Sequence, residues 1–191
     1  MALELHVWKI TGVSPLLQNN PSCMKSGSDE GMTAGKKKYD DKEEAEMRVY
    51  RNSDGHPFHP TAAFRSCMLQ ATSGKKINKV WAKAIFASSV FPAEVEGLLV
   101  DKSDKPLKNY EIHKCRVVVG KQGVLRCRPK WSGWYIKLAL EVDVEFISTK
   151  AITEILTIAG RVIGIGDNRP DTSKGKSGVG TFGRFTAEFV K

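Results

Sequence analysis

WYIKLALEVDVEF, residues 134–146, carries the clearest alternation in the chain. Trp134, Ile136, Leu138, Leu140, Val142, Val144 and Phe146 fall on one side, with Lys137, Glu141, Asp143 and Glu145 on the other. That period of two is the pattern of a long strand with one face in the core. Such a strand needs antiparallel mates. EIHKCRVVV (111–119), or VLRCR (124–128) beyond the turn at Gly120 to Gly123, is the expected partner, because hairpin signals separate these neighbouring runs.

Downstream of this strand, Ser148 or Thr149 caps a helix in which Ile152, Ile155, Leu156 and Ala159 recur at helical spacing, ended by Gly160 or the glycines beyond. A glycine-rich loop follows, and FGRFTAEFV (182–190) reads as a closing strand. Upstream, HPTAAFRSCMLQAT (59–72) puts Ala63, Phe64, Cys67, Met68 and Ala71 on one helical face, with Pro60 near its start and Gly74 as its stop. KKINKVWAKAIFASSVF (75–91) then reads as a strand from about Lys83 to Val90. LELHVWKITGV (3–13) is a first strand, ended by Gly12 and Pro15. From Gln18 to Arg48 the composition turns to Asn, Ser, Gly, Lys and Glu, as in an inserted mobile loop or a short solvated helix.

Stripped of insertions, the order is strand, helix, strand, hairpin, helix, glycine-rich loop, strand. This predicts an α+β fold of ferredoxin-like (RRM-like) plan: a four-stranded antiparallel sheet with two helices on one face. At 191 residues the chain is expected to form one such domain, with a flexible insertion at about 18–48.

The formal charge of +9 favours a polyanionic partner. Cys23, Cys67, Cys115 and Cys127 lack the close spacing of zinc ribbons, so free thiols in a reducing cytoplasm are expected, with no metal and no cofactor. No apolar run approaches the length of a membrane helix.

GIGDNRPDTSKGKSGVGTFGRF (164–185) holds six glycines, Gly164, Gly166, Gly175, Gly178, Gly180 and Gly183, and four basic residues, Arg169, Lys174, Lys176 and Arg184. Glycines permit close backbone approach to a ligand, and the cations suit phosphate. Gly175-Lys176-Ser177 matches only the end of a mononucleotide P-loop and follows a helix rather than a strand, so nucleotide hydrolysis is excluded. Two further basic tracts are free of acidic residues. One, between Glu111 and Glu141, holds Lys114, Arg116, Lys121, Arg126, Arg128, Lys130 and Lys137; the other, between Asp54 and Glu94, holds Arg65, Lys75, Lys76, Lys79 and Lys83. Together with the loop they are candidates for a single phosphate track. Trp131 and Tyr135 are candidates for base stacking, whereas Trp134 shares the parity of the buried face. His56, His59 and His113 are the candidate acids or bases of a cleavage reaction, yet GxSxG and HExxH are both missing.

With a first strand leading into TGVSPLLQNN, a helix of the type HPTAAFRSCMLQA and the glycine-rich loop before the last strand, the chain resembles the RAMP superfamily of CRISPR-associated RNA-binding proteins. Within it, the likeness is to the backbone subunits that line up along a guide RNA, or to a stand-alone relative from a virus or mobile element. The resemblance implies a role in antiviral defence and RNA contacts by Gly164, Gly166, Gly175, Gly178, Gly180, Gly183 and the basic residues among them. It also implies that the helix carrying Arg65, with the lysines after it, faces the RNA. The chain departs from such subunits in being short.

Three functions remain in view. The first is non-catalytic binding of single-stranded RNA or DNA through phosphates, with homo-oligomers or a larger ribonucleoprotein along the strand. The second is a metal-independent endoribonuclease of the same fold. The third is a structural or inhibitory protein whose basic face meets an acidic protein surface.

Overall fold

The computed structural model describes residues 3–21, 40–77, 79–119, 122–171 and 180–191. The predicted long strand is β10 (Tyr135–Asp143), and it lies inside a four-stranded sheet with β1 (Leu3–Gly12), β6 (Val90–Pro92) and β11 (Phe185–Phe189). The order is β11-β1-β10-β6 with every pairing antiparallel, which is the ferredoxin-like arrangement. Trp8 lies opposite Leu138 and Ile10 opposite Ile136. These side chains form the buried face, while Lys9 and Lys137 meet on the other.

The buried face is covered by α2 (Thr61–Ala71) and α4 (Thr149–Ile158). Phe64, Cys67 and Met68 from α2 join Ile152, Ile155 and Leu156 from α4 in one apolar cluster with Trp8, Ile10, Ile136 and Leu138. Ser148 is the cap: its Oγ accepts from the Ala151 N–H at 3.3 Å. The indole of Trp8 donates to Thr153 Oγ1 at 2.9 Å, so the polar edge of a fully buried ring is satisfied by the helix above it.

Three expectations are corrected. The partners of β10 are β1 and β6, not the segment 111–128. That segment forms its own hairpin, β8 (Glu111–Val119) with β9 (Gln122–Trp131), paired from Glu111 with Lys130 to Val119 with Gln122. Its root joins β2 (Leu16–Leu17) in a separate three-stranded sheet, and the left-handed Gly133 redirects the chain from β9 into β10. The expected strand at 83–90 is instead the helix α3 (Ala82–Ser89), which buries Ala82, Phe86 and Ser89 along one helical face before Val90 enters the sheet. Finally, β10 ends at Asp143, whose buried side chain accepts from the Glu145 N–H in a turn, so Phe146 leaves the core face and is 59% exposed.

Between Gln18 and Arg48, residues 22–39 lie outside the described part. The remainder contains α1 (Asp41–Glu46), capped by Asp40 and docked on β9 rather than solvated throughout. Its Glu44 is buried and accepts from Arg48 at 2.9 Å and from the Cys127 N–H at 3.0 Å. Two short ladders complete the architecture: β3 (Phe58–Pro60) with β7 (Glu96–Leu98), and β4 (Lys76–Ile77) with β5 (Val80–Trp81).

Candidate nucleic-acid interface

After α4 the chain makes a π turn over Ala159–Ile163 and ends it at Gly164. The following residues are sewn into the fold by backbone hydrogen bonds. Ile165 N–H donates to Gly183 O at 2.9 Å, Asp167 N–H to Leu17 O at 2.9 Å, and Gly183 N–H to Pro15 O at 2.8 Å. Gly166 and Gly183 both sit at positive φ, where a Cβ would collide with the carbonyl oxygens of Leu17 and Ile165 respectively. Gly180 lies equally close to Asn168. The glycines at the base of this segment are thus committed to close packing within the chain. Gly175, Gly178, Lys174 and Lys176 lie outside the described residues.

A cleft of about 340 Å³ opens beside this stem, lined by Asn19, Tyr50, His59, Ala63, Asp167 and Arg169 among others. Arg169 donates to Asp171 at 3.0 Å, and its charge is felt at both His59 and Cys67. His59, on β3, is 4% exposed, and burial followed by the nearby Arg169 guanidinium depresses its pKa to about 4. The imidazole is therefore neutral at pH 7. Burial raises the Cys67 thiol to about 12; its Sγ donates to Gly164 O at 3.2 Å. Arg184 stands exposed on the returning limb of the stem, where its N–H donates to Ser14 Oγ at 2.9 Å.

The second basic tract is less positive in space than in sequence. Lys114 pairs with Asp41 at 2.8 Å, Arg126 with Glu44 at 3.4 Å, Arg128 with Asp167 at 2.6 Å and Lys130 with Glu111 at 2.5 Å. Lys137 pairs with Asp104 at 2.8 Å. Arg116 alone among the site candidates of this hairpin is exposed without a carboxylate partner among the described residues, and it folds over Gly123.

Arg65 is engaged by its own fold. Its guanidinium donates to Val90 O at 3.2 Å and Ala87 O at 2.8 Å, tying α2 to α3 and β6, and it lies 5.2 Å from the Phe91 ring centre. Lys75, Lys76, Lys79 and Lys83, by contrast, are exposed on or beside the β4–β5 ladder, with no carboxylate partner among the described residues.

Trp131 as a stacking residue is corrected: it is fully buried, its indole donates to Gln18 Oε1 at 3.0 Å, and Tyr110 packs on its ring. Trp134 is buried as expected, and Tyr135 is half-buried beneath Lys9. The aromatic residue overlooked in the sequence is Trp81, 58% exposed at the end of β5, with Lys76 Nζ 4.8 Å from its ring centre.

Of the other histidines, His56 is exposed in the turn at Asn52, where its N–H donates to Asn52 Oδ1. His113, on β8, meets the Phe182 ring in a tilted contact, and burial followed by the charges of Arg128 and Lys130 lowers its pKa. Among the described residues no group of three His, Cys, Asp or Glu side chains is placed to hold a metal ion, and no helix is long and apolar enough to cross a membrane.

No protein-family model and no curated protein matches this sequence. Among solved structures, the chain is similar to the crystal structure of Cmr6 from Pyrococcus furiosus, with a TM-score of 0.44 and 15% identity over 98% of this chain and 100% of that one.

Proposed function

We propose that this protein binds single-stranded nucleic acid, RNA foremost, through the phosphate backbone, without catalysing a reaction, and that copies assemble along the strand. The observation that carries this reading is the uneven neutralisation of charge. Ion pairs within the fold absorb most of the cations on the β8–β9 hairpin. Lys75, Lys76, Lys79, Lys83, Arg116 and Arg184 remain exposed without such a pair among the described residues. Positive charge that a fold leaves uncancelled draws a polyanion. The resemblance of the sequence to RNA-binding RAMP proteins supports RNA over DNA, and the formal charge of +9 supports a polyanion of either kind.

Affinity for a single-stranded oligonucleotide measured against salt tests the proposal. Six phosphate contacts correspond to a slope of log K on log salt of about −4 for a single strand, and each lysine neutralised should flatten it by about 0.7. No binding at low salt, or a slope near zero, overturns it. RNA incubated with the protein and a chelator should stay intact, and cleavage abolished by substituting His56, His59 or His113 would favour the endoribonuclease instead.

A further inference from the structure

We infer that Trp81 and Lys76 form a platform on which one unpaired base of a bound single strand stacks while neighbouring lysines hold its phosphates. The inference rests on the nucleic-acid reading above and adds to it a base-contacting residue.

The argument begins with the tryptophans. Trp8, Trp131 and Trp134 are fully buried, each with its indole N–H bonded to the fold. Trp81 is 58% exposed. A large aromatic ring left in water forfeits the burial that stabilises the other three, so the fold itself does not account for it.

Its setting is ordered. Lys76 and Trp81 are directly opposite in the β4–β5 ladder, which puts both side chains on one face of the hairpin. The Ala82 N–H donates to Lys75 O at 3.0 Å, closing the base of the hairpin just where α3 begins. Lys76 Nζ stands 4.8 Å from the ring centre and covers one side of the indole. The exposed remainder of the ring offers a π surface to a base. The ammonium of Lys76, together with the exposed Lys75, Lys79 and Lys83 on the same hairpin and the first turn of α3, supplies cations for a strand's phosphates.

The chemistry favours a nucleic acid over a protein. An apolar protein partner would have to desolvate four lysines around one ring, whereas a single strand presents a base and phosphates to the two kinds of group together. The contact needs no particular base, since every base has a π face.

The test combines fluorescence and affinity. Titrating the protein with a single-stranded RNA oligonucleotide should quench the solvent-exposed part of the tryptophan emission, and Trp81→Phe should remove that signal while keeping most of the affinity. Trp81→Ala should weaken binding roughly five- to hundredfold, and should scarcely affect binding of an abasic strand of the same length. Trp81→Leu, which keeps apolar bulk without a π system, should resemble Trp81→Ala; thermal melting of each variant confirms that the fold persists. Binding by wild type with no quenching and no loss in Trp81→Ala overturns the platform and leaves the phosphate reading standing. An altered sedimentation coefficient in Trp81→Ala with unchanged RNA affinity would instead make Trp81 a protein contact and overturn the platform. Failure of the wild type to bind any strand overturns both.

Discussion

Gly183→Ala distinguishes a glycine kept for the fold from a glycine kept for a ligand. Gly183 has φ +68°, and a Cβ there would collide with the Ile165 carbonyl oxygen, across the limb whose Ile165 N–H is bonded to Gly183 O at 2.9 Å. A side chain in the left-handed region costs about 1 to 2 kcal/mol. Overpacking a contact that cannot yield costs about 1 to 3 kcal/mol more, and the displaced hydrogen bond about 1 kcal/mol. The combined loss is about 3 to 6 kcal/mol, a drop in Tm of about 9 to 18 °C for a chain of this size. Gly55→Ala is the control. Gly55 has φ +77° with nothing within 4 Å of the added Cβ, so it carries the conformational cost alone, about 1 to 2 kcal/mol or about 3 to 6 °C. Urea unfolding and thermal melting of both variants measure the difference. If Gly183→Ala melts like Gly55→Ala and loses only nucleic-acid affinity, the close-packed stem is refuted and the glycine serves the ligand.

Two further outcomes follow from the titratable groups. His59 has a folded pKa of about 4 against an ordinary 6.5, so the unfolded chain binds its proton more readily, and stability present above pH 6.5 is lost as pH falls toward 4. Between pH 7 and 4.5 that loss is about 2 to 3 kcal/mol, to which the lowered His113 adds in the same direction, and denaturant midpoints should show a shallower acid slope in His59→Gln. Cys67 and Cys127, with burial raising their thiols to about 12 and 11, should resist alkylation at pH 8 in the native protein and react on unfolding; rapid native labelling of either would contradict their burial.

The sheet was legible where one face alone is buried. The alternation of β10 and the helical spacing of α2 and α4 each record a single apolar side. The pairing of β10 was not legible, because periodicity shows which way a side chain points but not which strand lies beside it. AKAIFASS is too short and too evenly apolar to separate helix from strand. Trp131 misled because it belongs to β9, beyond the turn at Ser132 and Gly133, so parity counted from Trp134 does not reach it. The hairpin's charge misled because its acidic partners Asp41, Glu44 and Asp167 lie far away in sequence. Trp81 sits among lysines in plain view, but only the fold reveals that it is left 58% exposed.

The 2.6 Å ion pair between Arg128 and Asp167 joins the hairpin to the glycine-rich segment near the hairpin's root. With β9 rising about 3.4 Å per residue, the end at Gln122 stands roughly 20 Å from that fastening. The hairpin is held at its root by β2, by α1 and by Asp167, three attachments from separate parts of the chain. Removing either partner of the Arg128–Asp167 pair would leave the other charge at the hairpin's root without its counter-ion, so the hairpin and the glycine-rich segment share one electrostatic tie.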